Sequence, residues 1–197
     1  MSNVVNIILD LLFPRRCPVC GQIVMPKGAL ICGACMKKLS WVRGSVCKCC
    51  GKEIISETME YCPDCAARPR AFSHGMALLN YNEISAPSLA MIKYHNRREY
   101  LDFYAEAAYR RYAGNIARLS PGLIIPVPVH KSRLKKRGFN QAEEFGKRLS
   151  EHLKIPMSSE FLIRSKKTVP QKDLGPTLRL KNLEQAFFCK KLPPGVK

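Results

Sequence analysis

An α/β domain preceded by a small cysteine-rich module is the fold class predicted by three observations. Cys17, Cys20, Cys32 and Cys35 form a C-x2-C, eleven-residue, C-x2-C pattern that Cys47, Cys50, Cys62 and Cys65 repeat thirty positions later. Leu123 to Val129 (LIIPVPV) is a continuous apolar run entered through Pro121 and Gly122, which suits a parallel strand buried on both faces. Asn140, Glu143 and the apolar positions Ala142, Phe145, Leu149 and Leu153 then spell a capped amphipathic helix.

The cysteine grid carries the most chemistry. A CxxC turn aims two thiolates at one edge of a tetrahedron, and a second such turn on a returning hairpin completes the set that zinc prefers. Gly21 and Gly51 each follow the second cysteine of a knuckle, where the chain must turn tightly. Two zinc ribbons are therefore expected. With four thiolates each they leave no position for water, so the metals are structural. The spacing permits sequential filling or an interleaved cross-brace; sequential filling keeps each site within one repeat and is favoured. Disulfide-stapled loops would need an oxidising compartment, and no secretory signal precedes the grid. Cys49 breaks the thirty-residue offset that Cys50 keeps, so it is expected to be a spectator thiol, and Cys189 a small buried hydrophobe.

Composition divides the 197 residues near Arg68, Pro69 and Arg70, since nine of the ten cysteines precede that point. Formal charge is +18 and is shared unevenly: ten Lys and Arg against five acids up to residue 70, twenty-three against ten afterwards. Two zinc ions on eight thiolates would reduce the total to about +14. Such a balance favours anionic partners, nucleic acid or phosphorylated metabolites, without separating the two. No apolar run approaches the ~20 residues that cross a bilayer, and the opening stretch is broken by Asn6 and Asp10. A cytoplasmic protein with no membrane span is expected.

In chain order, Val4, Ile7, Ile8, Leu11 and Leu12 place a short amphipathic helix over 1–15, which Pro14 stops. The metal module occupies 16–70, with Trp41, the only tryptophan, between its halves. Met76 to Tyr81 (MALLNY) reads as a short buried strand, followed by helices from about Ser85 to Tyr94 and from Glu99 to about Tyr112. After the apolar run the chemistry changes abruptly: His130, Lys131, Arg133, Lys135, Lys136 and Arg137 fall within eight residues, before Gly138 and Phe139. Strand, cationic loop and capped helix is the order in which open α/β sheets bind phosphate, at the strand's carboxyl end and the helix amino terminus. A plain solvated connection fits the local pattern equally well.

IIPVPVHKSRLKKRGFNQA, residues 124 to 142, resembles the signature of the ComF family of competence-associated proteins. LLFPRRCPVCG near the start, Thr168 to Gln171 (TVPQ), and Arg179, Asn182, Ala186 and Phe187 resemble further family segments in the same order. The resemblance implies a type I phosphoribosyltransferase-like domain over 71–197, a parallel sheet with flanking helices that handles phosphoribosyl pyrophosphate (PRPP). It further implies that Val127, Pro128, Val129, His130 and Lys131 lie near pyrophosphate. Arg133 and Arg137 would be cationic contacts, and Gly138, Asn140 and Gln141 would open the supporting helix. The family's acidic pair and Thr/Gly-rich loop do not follow Pro193, Pro194 and Gly195. The sheet is accordingly expected to be incomplete and the chain truncated, with Mg2+ and PRPP belonging to a full-length form.

Three readings of function follow. One is a PRPP-dependent transferase acting on a small-molecule acceptor, in which the loops and Mg2+ stabilise departing pyrophosphate. Another is a competence factor whose ribbons and basic face touch single-stranded DNA or the competence machinery during DNA uptake. In the third, the ribbons only staple a small domain or dock a partner protein.

Overall fold

The computed structural model describes residues 13–68, 70–166, 168, 174–183, 185–192 and 194–195. The amphipathic stretch from Val4 to Leu12 lies outside them, as do Pro69 and most of the TVPQ segment beyond Thr168. The chain forms two compact units, Met1–Phe103 and Tyr104–Lys197, which divide beyond the compositional change at residue 70.

In the first unit the thirty-residue offset of the cysteines is an offset of the backbone. The Cys17 amide donates to the Gln22 carbonyl at 2.7 Å, and the Cys47 amide to that of Lys52 at 2.8 Å. Gly21 and Gly51 both donate back to the first cysteine of their knuckle at 2.9 Å. The Arg16–Ile23 bridge of the first hairpin recurs as Val46–Glu53 in the second. Both glycines have positive φ, +73° and +72°, where a Cβ would crowd the following carbonyl. Each returning pair of cysteines then opens a short helix, α1 (Gly33–Lys38) after Cys32 and α2 (Pro63–Ala67) after Cys62. Val24 and Ile54, also thirty apart, are buried beneath the hairpins.

Chain beyond the second ribbon returns to brace both halves. The Val42 amide donates to the Leu78 carbonyl at 3.2 Å and that of Asn80 to the Ser40 carbonyl at 2.8 Å, around an antiparallel bridge between Trp41 and Leu79. Met76 to Asn80 is therefore half-buried and joined through one bridge, with Tyr81 exposed, where a buried strand was expected. Its partner is the link between the ribbons, too short to carry a longer ladder. Trp41 packs edge-on against Phe103 with ring centroids 6.3 Å apart and donates its indole N–H to the Met36 carbonyl at 3.2 Å. The Asn82 carboxamide oxygen accepts from the Ile84 and Ser85 amides at the start of α3 (Ser85–His95), which ends on Asn96 in the left-handed region. Arg15 pairs with Asp102 at 2.7 Å and donates to the Glu99 carbonyl at 3.1 Å, joining the first ribbon to the opening turn of α4 (Tyr100–Leu119).

The second unit holds the remainder of α4, then α5 (Lys131–Arg137), α6 (Gln141–Leu153), β1 (Leu162–Arg164), α7 (Pro176–Leu183) and β2 (Phe187–Cys189). The apolar run from Leu123 to Val129 is not a strand buried on both faces. Ile124 makes a lone parallel bridge with Met157, its amide donating to the Pro156 carbonyl at 2.8 Å and its carbonyl accepting from Ser158 at 3.0 Å. Val127 is 57% exposed. Pro126 and Pro128 remove two of the run's amide donors, which stops the ladder within a few residues. The sheet among the described residues is β1 against β2, antiparallel, with Ile163 opposite Phe188. This architecture is mixed helix and strand. Gly146 of α6 lets the helix approach the bridge: a Cβ there would stand 2.9 Å from the Met157 sulfur and 3.6 Å from Ile124 Cγ2.

Candidate metal centres and the cationic segment

Within each repeat the two cysteine turns face one another. The sulfurs of Cys17, Cys20, Cys32 and Cys35 lie within 4.8 Å of one another, as do those of Cys47, Cys50, Cys62 and Cys65. The grouping thus follows the repeat and is not interleaved. Four Zn–S bonds of ~2.3 Å in a tetrahedron place the sulfurs about 3.8 Å apart. Cys20 and Cys32 stand 3.9 Å apart, and Cys50 and Cys62 3.7 Å. The donor sets therefore fit tetrahedral zinc in size as well as in kind.

The backbone also prepares the sulfurs for a cation. Burial pushes the Cys17 thiol up, but the amides of Cys20, Cys32 and Val19 face its sulfur and leave it lowered to about 7. At Cys47 burial again acts upward, and the amides of Cys50, Cys62 and Cys49 bring the thiol down to about 6. Cys35 is pushed up to about 12 by burial and by the sulfurs of Cys20 and Cys17. Cys50 is pushed up to about 12 too, by burial first, with Cys47, Cys65 and Cys62 adding to it against the Lys52 amide. Several sulfurs this close cannot all ionise alone; a divalent ion between them supplies the missing charge, and its binding releases their protons.

The second centre differs from the first in its surroundings. A Cβ on Gly51 would stand 2.5 Å from the Gly75 carbonyl oxygen, whereas one on Gly21 would meet nothing within 4 Å. The Gly75 amide donates to the Cys49 carbonyl at 2.6 Å. Burial, and then the Cys65 sulfur, raise the pKa of the Cys49 thiol. The Arg70 guanidinium donates to the Asp64 carbonyl at 3.5 Å, and the nearby Cys65 sulfur holds that cation's pKa above its usual value. Sequence spacing isolates Cys49 as the residue outside the offset; its neighbour across the ribbon is a tertiary fact that spacing does not encode.

In the second unit the basic stretch is a helix rather than a loop. The His130 Nδ1 accepts from the Ser132 amide at 3.2 Å and caps α5, which ends on Gly138 at φ +82°. Lysine, arginine and leucine are good helix formers, and a cap at each end suffices for two turns. Lys131, Lys135 and Lys136 are exposed. Arg133 donates to the Thr168 carbonyl at 3.2 Å, and Arg137 to the Gln141 side chain. Asn140, 6% exposed, caps α6 through the Ala142 amide at 3.1 Å and donates its own N–H to the Val127 carbonyl at 3.1 Å. Glu143, expected in a capping box, pairs with Lys147 at 3.3 Å. Val127, Pro128 and Val129 thus run into His130 and α5, while Asn140 ties that run to the helix after it.

Arg164 is the residue that sequence reasoning missed. Its guanidinium donates to the Thr168 hydroxyl and lies 5.3 Å from the centre of the Phe187 ring. Burial, and then Arg133 nearby, lower its pKa. Ala186 is fully buried beside it, with its carbonyl accepting from the Ser165 amide at 3.0 Å. No local pattern around Arg164 marks it, because Phe187 reaches it only through the β1–β2 pairing.

A double zinc ribbon domain matches residues 8–66. Over 89% of its length the chain is 29% identical to competence protein F of Haemophilus influenzae, covering 76% of that protein. It is 25% identical over 70% of its length to competence protein ComFC of Bacillus subtilis, covering 60% of it. The DNA utilization protein YhgH of Shigella flexneri is 28% identical over 80% of the chain, which spans 70% of that relative. The chain is thus similar to these competence and DNA utilization proteins over most of its length. No solved structure matches the chain. Among the described residues, no helix is long and apolar enough to cross a membrane. The double zinc ribbon match and the paired four-cysteine centres together point to two structural zinc ions.

Proposed function

We propose that this protein serves DNA uptake in natural competence from the cytoplasm. A double zinc ribbon at 16–70 is held by two structural Zn2+, behind a short amphipathic helix at 1–15 and ahead of a partial type I phosphoribosyltransferase-like domain at 71–197. The zinc ligands are Cys17, Cys20, Cys32 and Cys35 in one centre and Cys47, Cys50, Cys62 and Cys65 in the other. Its anionic partner is the phosphate backbone of single-stranded DNA, met at α5, where it would work beside the competence machinery. The observation that carries this reading is the exposure of Lys131, Lys135 and Lys136 on a helix whose sequence, KSRLKKR, contains no acid. The names of the relatives, competence proteins and a DNA utilization protein, point the same way.

Phosphate contacts released from counterions leave a signature in salt: the logarithm of affinity falls with a slope of about −0.7 per phosphate on single strands. Changing Lys131, Lys135 and Lys136 together to Ala should flatten the slope by about 2. Fluorescence anisotropy with an oligonucleotide across a salt series reads this, and an unchanged slope removes α5 from the interface.

A second reading is supported by the bond from Asn140 to the Val127 carbonyl, which sets a strand-like run against the amino end of α6. In that reading Val127, Pro128, Val129, His130, Lys131, Arg133, Arg137, Gly138, Asn140 and Gln141 surround the pyrophosphate of PRPP with Mg2+, or the phosphate of a related metabolite. The chain would then transfer phosphoribosyl groups to a small acceptor. Arg133 and Arg137 would first leave Thr168 and Gln141. Calorimetric titration with PRPP and Mg2+ tests it, and absence of heat eliminates it.

A further inference from the structure

We propose that Arg133 of α5 and Arg164 of β1 together hold the terminal phosphoryl group of a small molecule. Both guanidiniums converge on one residue: Arg133 donates to the Thr168 carbonyl at 3.2 Å, and the Arg164 Nη2 donates to the Thr168 hydroxyl. Two cations thus share two neutral oxygens. No carboxylate among the described residues pairs with either guanidinium. The Arg164 Nε is shielded from water and has no hydrogen-bond partner among the described residues. Nε and Nη2 lie along one edge of a guanidinium, the fork that takes two oxygens of a phosphate. At Arg164 that fork meets a neutral acceptor at one prong and none at the other. The Phe187 ring, 5.3 Å from the guanidinium carbon, covers one face and leaves the in-plane donors to bind.

Charge and shape select the ligand. Burial and the like charge of Arg133 both act against the Arg164 cation. An oxyanion that takes over from the two Thr168 oxygens places negative charge between the arginines and gives Nε its acceptor. A carboxylate has two oxygens and fills one fork, whereas a terminal phosphoryl group has three and serves both arginines. It also carries about −1.5 to −2 near neutral pH. A diester in a nucleic-acid backbone carries a single charge between two sugars, which bar it from a buried edge. Exposed lysines on α5 suit the polymer; the Arg164 fork suits a small molecule's phosphate end.

This inference deepens the second reading of function, from which it takes Arg133, and the test separates the two. Calorimetric titration of the full chain with inorganic pyrophosphate, without Mg2+, should show binding. Arg133→Gln and Arg164→Gln should each weaken it about tenfold or more, the loss of charged hydrogen bonds. Arg164→Lys, which keeps the charge without the fork, should be weakened as well. Arg118→Gln, an exposed cation of α4, should bind as the wild type does. Absence of binding by the wild type, wild-type affinity in Arg164→Gln, or an equal loss in Arg118→Gln overturns the proposal. An oligonucleotide without terminal phosphate should bind Arg164→Gln as well as the wild type; parallel losses for both probes would assign the arginines to the polymer and overturn the proposal. Pyrophosphate bound through both arginines, with no heat from PRPP and Mg2+, removes the second reading and leaves the inference standing. If Arg164→Gln fails to fold, NMR of the wild type decides: the Nε–H resonance of Arg164 should shift on adding pyrophosphate, and an unmoved resonance overturns the proposal.

Discussion

The two ribbons share their backbone bonds residue for residue at an offset of thirty, yet they rest on different supports. The first knuckle is open around Gly21 and is tied to the rest of its unit through Arg15 and Asp102. The second is pressed against the Gly75–Ala77 backbone and has an extra thiol, Cys49, packed on its buried cluster. Where they agree, the agreement is what four sulfurs around one ion demand: a turn at each glycine, amides on the first cysteine, an apolar residue beneath. Where they part, each half has adapted to its neighbours. Ile31 is buried at 7% exposure while its counterpart Tyr61 stands out at 45%, so even the fill under the second turn is not shared.

The largest test of the common part is removal of the metal. A chelator should unfold both halves, because the binding free energy of a structural zinc, about 10–16 kcal/mol, is folding free energy in modules of this size. Proteolysis of 13–68 after chelation, with zinc content measured in parallel, checks it; a chelated chain that resists cleavage would break the equivalence of the two halves at its root.

Glycine substitution separates the halves next. Gly21→Ala should cost about 1–2 kcal/mol, the penalty of a left-handed L-residue. Gly51→Ala carries that penalty and also drives a Cβ to 2.5 Å from the Gly75 oxygen, so its melting temperature should fall further. Equal losses in thermal melts would mean that Gly75 yields without cost.

Acid should weaken both centres. A thiol whose pKa is lowered on folding adds stability above its ordinary pKa, near 9, and that stability is lost as pH falls through the folded value. Those values are about 7 for Cys17 and about 6 for Cys47, so both centres should lose stability as pH falls through them. Cobalt-substituted protein followed by its thiolate absorbance on acidification reads this; absorbance unchanged below about pH 5 would contradict it. The smallest effect belongs to Arg15→Ala: its ion pair is about a third exposed, which limits the loss to about 1 kcal/mol, while the repeat counterpart Ser45→Ala should be near neutral.

The ribbons were legible because coordination is local: the cysteine offset and the following glycines specify a turn, its handedness and its ligands within a few residues. The apolar run from Leu123 to Val129 was less so. Its hydrophobicity says that it packs but not how many partners it finds, and Pro126 and Pro128 decide that through the donors they lack. Cations between Lys131 and Arg137 looked like a loop because charge was weighed above helix propensity and the cap at His130. Asn140 was readable as a cap, whereas its second bond to Val127 depends on a neighbour thirteen residues back. The place of Arg164 was not legible at all, since its contact with the Phe187 ring is made by chain segments that meet only after folding.

The abutment of Gly75 on Cys50 sets where this head can be cut. A gene fragment stopped at residue 70, where the cysteines run out, would keep every ligand yet leave behind the wall that the second knuckle leans on and the segment to Asn80 that stitches the two halves. Such a piece would hold metal on one sound loop and one unbuttressed one.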